Sequence, residues 1–220
     1  MKNYRKFIIS GMLFAVFIVF TILVKSIDVQ PIGPEESVVG FANINKSVHE
    51  CFGIQMTWYD ITKWLGYLTI LVALGFGVLG FLELVVRKSF MKVDADLLLL
   101  GGFYVLVLAF YVFFEKVIIN YRPIIMDEGL EASFPSSHTM LVICVMATAM
   151  IQFKKRIQSK GIRTVAMVAS AVIIVVMVIG RMISGVHWFT DIIGAVILSS
   201  ALVMFYYAIF CLLSEKKAIR

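Results

Sequence analysis

The sequence predicts an all-α, polytopic membrane protein with six transmembrane helices in a single domain over residues 1–220. Hydrophobic residues make up 61% of the 220 positions and charged residues only 15%, and the mean hydropathy is +0.96. A soluble domain of this size would need far more polar surface. The apolar residues also fall in separate runs, and a spanning helix needs about 20 mostly apolar residues.

Six apolar runs have lengths near that requirement. They are Phe7–Val24, Ile61–Val86, Ala95–Ile119, His138–Phe153, Thr164–Gly180 and Trp188–Leu213. The first run follows three basic residues, as the apolar region of a secretory signal does. It is long for such a region, however, and no A-x-A-like cleavage site follows it. We therefore expect it to be a retained span.

Small residues on the second run predict how that helix packs. Gly66, Ala73, Gly77 and Gly80 fall on roughly one face of a helix. Stripes of small residues let helix backbones approach closely in lipid. The pattern therefore predicts a tightly packed helix face.

The basic residues predict the orientation of the chain in the membrane. Fourteen of the 20 lysines and arginines lie in the N-terminus, the second–third connection, the fourth–fifth connection and the C-terminal tail. Because positively charged connections stay in the cytoplasm, both termini are predicted to be cytoplasmic. The protein is then a multi-pass protein of the cell membrane, and the 26–60 loop is extracytoplasmic. No basic stripe with interleaved aromatics accompanies the net charge of +6, so no nucleic-acid partner is predicted.

The 26–60 loop and the cysteines give weaker indications. A moderately amphipathic stretch lies near Val38–Phe52. It fits an interfacial helix bordering a functional site, and it equally fits an ordinary connecting loop. Cys51, Cys144 and Cys211 show no metal-binding spacing, so neither a disulfide framework nor a zinc site is predicted.

The most informative polar segment joins the fifth and sixth runs. His187 and Asp191 are one helical turn apart, so their side chains can meet on one face. A carboxylate at one imidazole nitrogen fixes the tautomer and leaves the other nitrogen free as a nucleophile or base. Arg181 lies a short turn away, and guanidinium groups match phosphate oxygens bidentately. The alternative is a histidine that merely packs at the end of a span.

A second polar segment, Pro135-Ser136-Ser137-His138, begins the fourth run. Ser133 or Ser136 can cap the helix, and its free amides and positive dipole end would then face outward. Such a helix end is suited to bind an anion, although it also fits a simple well-capped helix. His138 would stand on the same rim, where it could protonate a leaving oxygen.

A third segment, Arg122-Pro123, is predicted to end the third run, because proline interrupts a helix. By itself an arginine at the end of a span usually extends its charge into water. Its significance here is that the orientation predicted above places it on the same outer face as the other two segments.

Together these segments resemble the type 2 phosphatidic acid phosphatase superfamily. Its members carry Lys, six residues and Arg-Pro; then Pro-Ser-Gly-His; then Ser-Arg, five residues, His, three residues and Asp. This chain has Pro135-Ser136-Ser137-His138 as the second motif and Gly180-Arg181, His187 and Asp191 as the third. The motifs extend from Lys116 to Asp191, and six spans fit the family over most of the chain.

The resemblance implies hydrolysis of a phosphate ester or anhydride without a metal or other cofactor. His187 would attack phosphorus and form a phosphohistidine, Asp191 would orient it, and His138 would donate a proton to the leaving group. The phosphate oxygens would be held by Arg122, Arg181 and the amides around Ser136 and Ser137.

The chain departs from the family pattern at three points. Ser137 replaces a glycine, and Gly180 replaces a serine. Lys116 is separated from Arg122 by five residues rather than six, and Glu115 occupies the lysine register. One position on a helix is a rotation of about 100°. Either the lysine still reaches the phosphate, or Glu115 orients Arg122 and the site lacks a lysine.

The expected function is dephosphorylation of lipid phosphates on the outer leaflet. Undecaprenyl pyrophosphate and phosphatidylglycerophosphate are the leading substrates, followed by phosphatidic acid, with the lipid reaching the site from the bilayer. A phosphotransferase that passes the group to a lipid or sugar would share the initial steps. A non-catalytic transporter or scaffold is disfavoured, since glycine-interrupted helices near mid-membrane are not obvious. The oligomeric state stays open.

Overall fold

A computed structural model describes residues 2–126 and 129–219, and these residues are almost entirely helical. The α-helices are α1 Lys2–Ser26, α2 Ala42–Phe52, α3 Met56–Arg87, α4 Ala95–Lys116, α5 Ser137–Arg156, α6 Lys160–Ile183 and α7 Phe189–Ile219. In the described part, all of them except α2 are long and apolar enough to cross a membrane. The predicted all-α fold with six candidate transmembrane helices is therefore confirmed. The side chains of Lys2, Lys216, Lys217 and Arg220, which support the predicted cytoplasmic termini, lie outside the described residues.

The third span ends earlier than the sequence predicted. α4 stops at Lys116, and the chain then runs extended toward Pro123. The Arg122 amide donates to the Glu131 carbonyl at 3.1 Å, and the Ser133 amide donates to the Asn120 carbonyl at 2.9 Å. These long-range hydrogen bonds replace helical ones, so the prediction that Arg122-Pro123 ends the helix was wrong.

The helices are arranged around α5, the most deeply buried span. It packs against α3, α6 and α7, while α1 lies along α7. Met140, Cys144 and Ala149 of α5 meet Leu198 and Leu202 of α7 in the core. Large apolar side chains on α1, α3 and α6 remain exposed on the outside of the bundle, as expected of surfaces that face lipid.

The helix ends that lie nearest both chain termini carry an ion-pair network. Asp96 at the start of α4 pairs with Lys155 and, at 2.9 Å, with Arg156 at the end of α5. Arg87 at the end of α3 pairs with Glu83 at 3.4 Å. All the predicted motif segments lie at the opposite end of the bundle.

The stripe of small residues on α3 packs only in part. Gly66 lies against His138, whose Cδ2 is 3.4 Å from the position a Cβ would take. Gly77 and Gly80 have no such neighbour within 4 Å. With Ala73 they line an apolar cavity of about 370 Å³ between α3 and α4. The predicted close packing was therefore wrong for Gly77 and Gly80.

Candidate active site

The three motif segments meet at one end of the bundle, where hydrogen bonds tie them together. The Ser136 amide donates to the Asp191 carbonyl at 3.1 Å, which links the start of α5 to the start of α7. The Trp188 indole donates to the Tyr121 carbonyl at 2.8 Å. This hydrogen bond links the connection between α6 and α7 to the Arg122-Pro123 segment. Residues scattered along the chain thus form one rim.

Aromatic packing fixes the segment that leads into α5. The ring of Phe134 stacks on Phe17 at 6.1 Å and lies 6.4 Å from the ring of Phe114. Its other side is seated on α7 at Gly194, where a Cβ would come within 2.6 Å of the ring. Only glycine admits this ring at that distance, so Phe134 anchors the start of α5 to α7.

His187 and Asp191 are joined by a serine that the sequence offered only as a helix cap. The Nδ1 atom of His187 lies 3.1 Å from Ser133 Oγ and 3.7 Å from Asp191 Oδ2. The Ser133 hydroxyl also hydrogen-bonds the Asp191 carboxylate. The 3.7 Å separation is too long for a direct hydrogen bond. The predicted contact between the two is therefore made mainly through Ser133.

This geometry selects one tautomer of His187. A hydroxyl that donates to the Asp191 carboxylate has its oxygen lone pairs left to accept from His187 Nδ1–H. The lone pair of the ring is then on Nε2. Asp191 is itself held by the Trp188 amide at 2.8 Å and by the Asn120 side-chain amide at 3.4 Å.

The two predicted arginines act electrostatically on this ring. Burial lowers the pKa of His187 well below its usual range, and the charges of Arg122 and Arg181 lower that pKa further. The ring is therefore neutral at pH 7. Arg181 is fully buried, and its guanidinium lies 5.0 Å from the centre of the Tyr59 ring.

Several buried nitrogen atoms of this rim have no hydrogen-bond partner among the described residues. They are Arg122 Nη1, His138 Nδ1, His187 Nε2 and the three guanidinium nitrogens of Arg181. Arg122 Nε lies 2.9 Å from Glu131 Oε2, an ion pair outside hydrogen-bond geometry. Buried polar groups without partners are costly and uncommon. The cluster is thus chemically suited to an anion with several oxygens.

The two serines of the second motif differ in what they offer. Ser136 is fully buried; its amide donates to Asp191, and its hydroxyl lies 3.0 Å from Thr139 Oγ1. Its amide and hydroxyl therefore already have partners within the protein, and a phosphate contact from Ser136 stays a prediction. Ser137 and His138 lie in the first turn of α5, where their amides have no helical acceptor. Ser137 also has no positive φ, so its position does not require the family's glycine.

Packing accounts for glycine in place of serine at position 180. A Cβ there would lie 2.7 Å from Thr62 Cγ2 and 3.1 Å from Trp58 Cε3. Since α3 fills that space, a serine hydroxyl has no room to point toward the site.

The structure also bears on the alternatives left open for Lys116 and Glu115. Both residues are exposed at the end of α4. No helix joins Lys116 to Arg122, so the rotation per helical residue does not determine where the Lys116 side chain lies relative to Arg122. The carboxylate that pairs with Arg122 is Glu131, at 2.9 Å.

The amphipathic stretch in the 26–60 loop forms a helix, α2, that borders the site. The Asn45 side chain accepts from the Thr190 amide at 3.1 Å and donates to the Thr190 hydroxyl at 3.0 Å, capping the start of α7. The ring of His49 lies 5.5 Å from that of Trp188. Of the two interpretations of this loop, the structure supports the helix.

Over the described residues, no group of three or more His, Cys, Asp or Glu side chains is arranged to hold a metal ion. The candidate site is built from arginine, histidine and main-chain amides instead.

Comparisons with known proteins found one family and one similar fold. A family model described as the PAP2 superfamily matches residues 115–213, a range that includes all three motifs. The predicted PAP2 resemblance is confirmed. A crystal structure described as the first transmembrane PAP2-type phosphatidylglycerolphosphate phosphatase, from Bacillus subtilis, is similar in fold, with a TM-score of 0.60 and 18% identity. That similarity in fold covers 96% of this chain and 97% of the other. Comparison with proteins of curated function found no significant match.

Proposed function

We propose that this protein is a metal-independent phosphatase that hydrolyses lipid phosphates or pyrophosphates through a phosphohistidine intermediate. The observation that carries this proposal is the buried cluster of unpartnered nitrogen atoms: guanidinium donors of Arg122 and Arg181, the Nδ1 atom of His138 and the Nε2 atom of His187. A phosphoryl group has the several oxygens that such a cluster would satisfy. The PAP2 family match supports the same class of chemistry.

In the first step, Nε2 of His187 attacks phosphorus. A nitrogen–phosphorus bond forms, the bond from phosphorus to the leaving oxygen breaks, and that oxygen takes a proton from His138. Arg122 and Arg181 hold the other oxygens, because charge spread over them must be stabilised in the transition state. The bound phosphate also supplies negative charge that favours the protonated form of the His138 ring.

In the second step, water attacks the phosphohistidine. The water gives a proton to His138, phosphate leaves, and His187 returns to its starting form. Ser133 and Asp191 keep the ring oriented throughout, since both contact its Nδ1 side.

The surroundings of the site favour a lipid substrate. His138 lines a cavity of about 230 Å³ whose walls include the apolar side chains of Ile70, Leu108 and Leu141. A substrate with a phosphate head and a long tail fits a polar pocket beside apolar helix faces. Undecaprenyl pyrophosphate, phosphatidylglycerophosphate and phosphatidic acid are the proposed substrates, and the fold similarity to a phosphatidylglycerolphosphate phosphatase supports this class.

Phosphate release from purified protein tests the proposal. In detergent with excess EDTA, the protein is expected to release inorganic phosphate from at least one of these three lipids, because arginine and histidine supply the charge stabilisation. Failure to release phosphate from any of them would contradict the proposed function. Release that needs added metal would contradict the proposed mechanism.

We further propose that the site opens on the extracytoplasmic face of the cell membrane. The distribution of basic residues supports this orientation. Cys51, an exposed residue of α2 at the same end as the site, provides a natural label. In intact cells a membrane-impermeant maleimide is expected to modify the protein, and the C51S variant should stay unlabelled. Labelling of Cys51 only after the cells are opened would contradict the proposed orientation and place this end of the protein in the cytoplasm.

A further inference from the structure

One face of α3 lies against the candidate site. On this face, one residue about a turn before Lys63 and one residue about a turn after it contact the site. Tyr59 lies under the guanidinium of Arg181 at 5.0 Å. Gly66 lies against the ring of His138. Lys63 is four residues after Tyr59 and three before Gly66, so all three share one face of the helix.

Lys63 and His138 line the same cavity of about 230 Å³. Among the described residues, no carboxylate lies within ion-pair distance of Lys63. Lys116, the lysine expected from the sequence, does not line this cavity.

The proposed role of His138 indicates on which side of the phosphorus atom Lys63 lies. In the proposed function His138 protonates the leaving oxygen, so a group beside His138 is on the leaving-group side of phosphorus. Arg122 and Arg181 hold the phosphoryl group that is transferred. The ammonium group of Lys63 is therefore placed to bind negative charge on the leaving group.

We propose that Lys63 binds a second phosphate carried by the leaving group and so favours diphosphate lipids over monophosphate lipids. This inference rests on the proposed function. The bond that breaks joins the terminal phosphorus to the bridging oxygen; the bridging oxygen takes the proton from His138 and leaves as a lipid monophosphate. Lys63 makes a charge-assisted hydrogen bond to that leaving phosphate.

The test compares farnesyl diphosphate with farnesyl phosphate as soluble probes of the two classes. Purified wild type, K63Q and K63R are assayed for phosphate release in detergent. A charge-assisted hydrogen bond contributes about 1.5–3 kcal/mol, or roughly 10- to 150-fold. We expect K63Q to lose about that factor in kcat/KM for the diphosphate, with little change for the monophosphate. K63R, which keeps the charge, should recover most of the diphosphate activity.

A second lysine at the same end of the protein provides the control. Lys46 on α2 is exposed and pairs with Glu50 at 3.9 Å, so K46Q should leave both substrates unaffected. An equal loss on both substrates in K63Q, or no loss, would overturn the assignment to Lys63. So would a diphosphate-selective loss in K116Q instead. A wild type inactive on both probes and on the three proposed lipids would refute the phosphatase function itself, and the role of Lys63 with it.

Discussion

The H187Q variant is expected to lose phosphate release by about 10⁴-fold or more, the scale seen when a catalytic nucleophile is removed. Glutamine keeps a polar side chain in the buried position but has no nitrogen lone pair to attack phosphorus. Ser133 and Asp191 would keep their own hydrogen bond, so the fold should persist. The measurement is phosphate release by purified protein, with melting temperature as the check on folding.

The same substitution at His49 serves as a matched control. His49 lies on α2 against Trp188 and has no role in the proposed reaction, so H49Q should retain most of the activity. Rapid quenching of wild type with a ³²P-labelled substrate should also trap an acid-labile phosphoprotein that H187Q does not form. Wild-type turnover by H187Q would remove His187 as the nucleophile.

The R181K variant is expected to lose about 10²- to 10³-fold in kcat, the range seen when one preorganised donor to a transition state is removed. Lysine keeps the charge, but it cannot present parallel N–H groups to two phosphate oxygens. The contact of the guanidinium with the face of the Tyr59 ring would also change. The measurement is kcat for phosphate release at saturating substrate.

Arg163 lies on the same helix at the far end of the bundle, where its guanidinium donates to the Ile157 carbonyl. R163K therefore makes the same chemical change away from the site, and it should keep wild-type kcat. A similar fall of kcat in both variants would mean that the substitution acts by destabilising α6. Near-normal kcat in R181K would mean that Arg181 does not stabilise the transition state.

The spans could be predicted from sequence because each is a local apolar run. Their ends depend on contacts that local patterns do not contain. α4 stops at Lys116 because the next residues hydrogen-bond to the segment around Glu131 and Ser133. Similarly, α2 is stabilised as a border of the site by Asn45, which bonds to Thr190, 145 positions later.

The same limit applies to the site. Residues close together in the sequence could be grouped, whereas contacts between distant residues could not be predicted. Arg181, His187 and Asp191 could be proposed as a group because only one short connection, between α6 and α7, separates them in the sequence. Ser133 could not be assigned a role at His187, 54 positions away, because nothing beside it in the sequence marks that contact. The role of Tyr59 under Arg181 likewise depends on how α3 packs.

The hydrogen bond from the Ser136 amide to the Asp191 carbonyl uses main-chain atoms only. Side-chain replacements at either position, proline at 136 excepted, leave both of its atoms in place. Substitution of the proposed proton donor or the proposed nucleophile should therefore leave the spacing between the starts of α5 and α7 unchanged. Inactivated variants should accordingly keep a correctly shaped pocket, which makes them suitable for capturing an uncleaved lipid for structure determination.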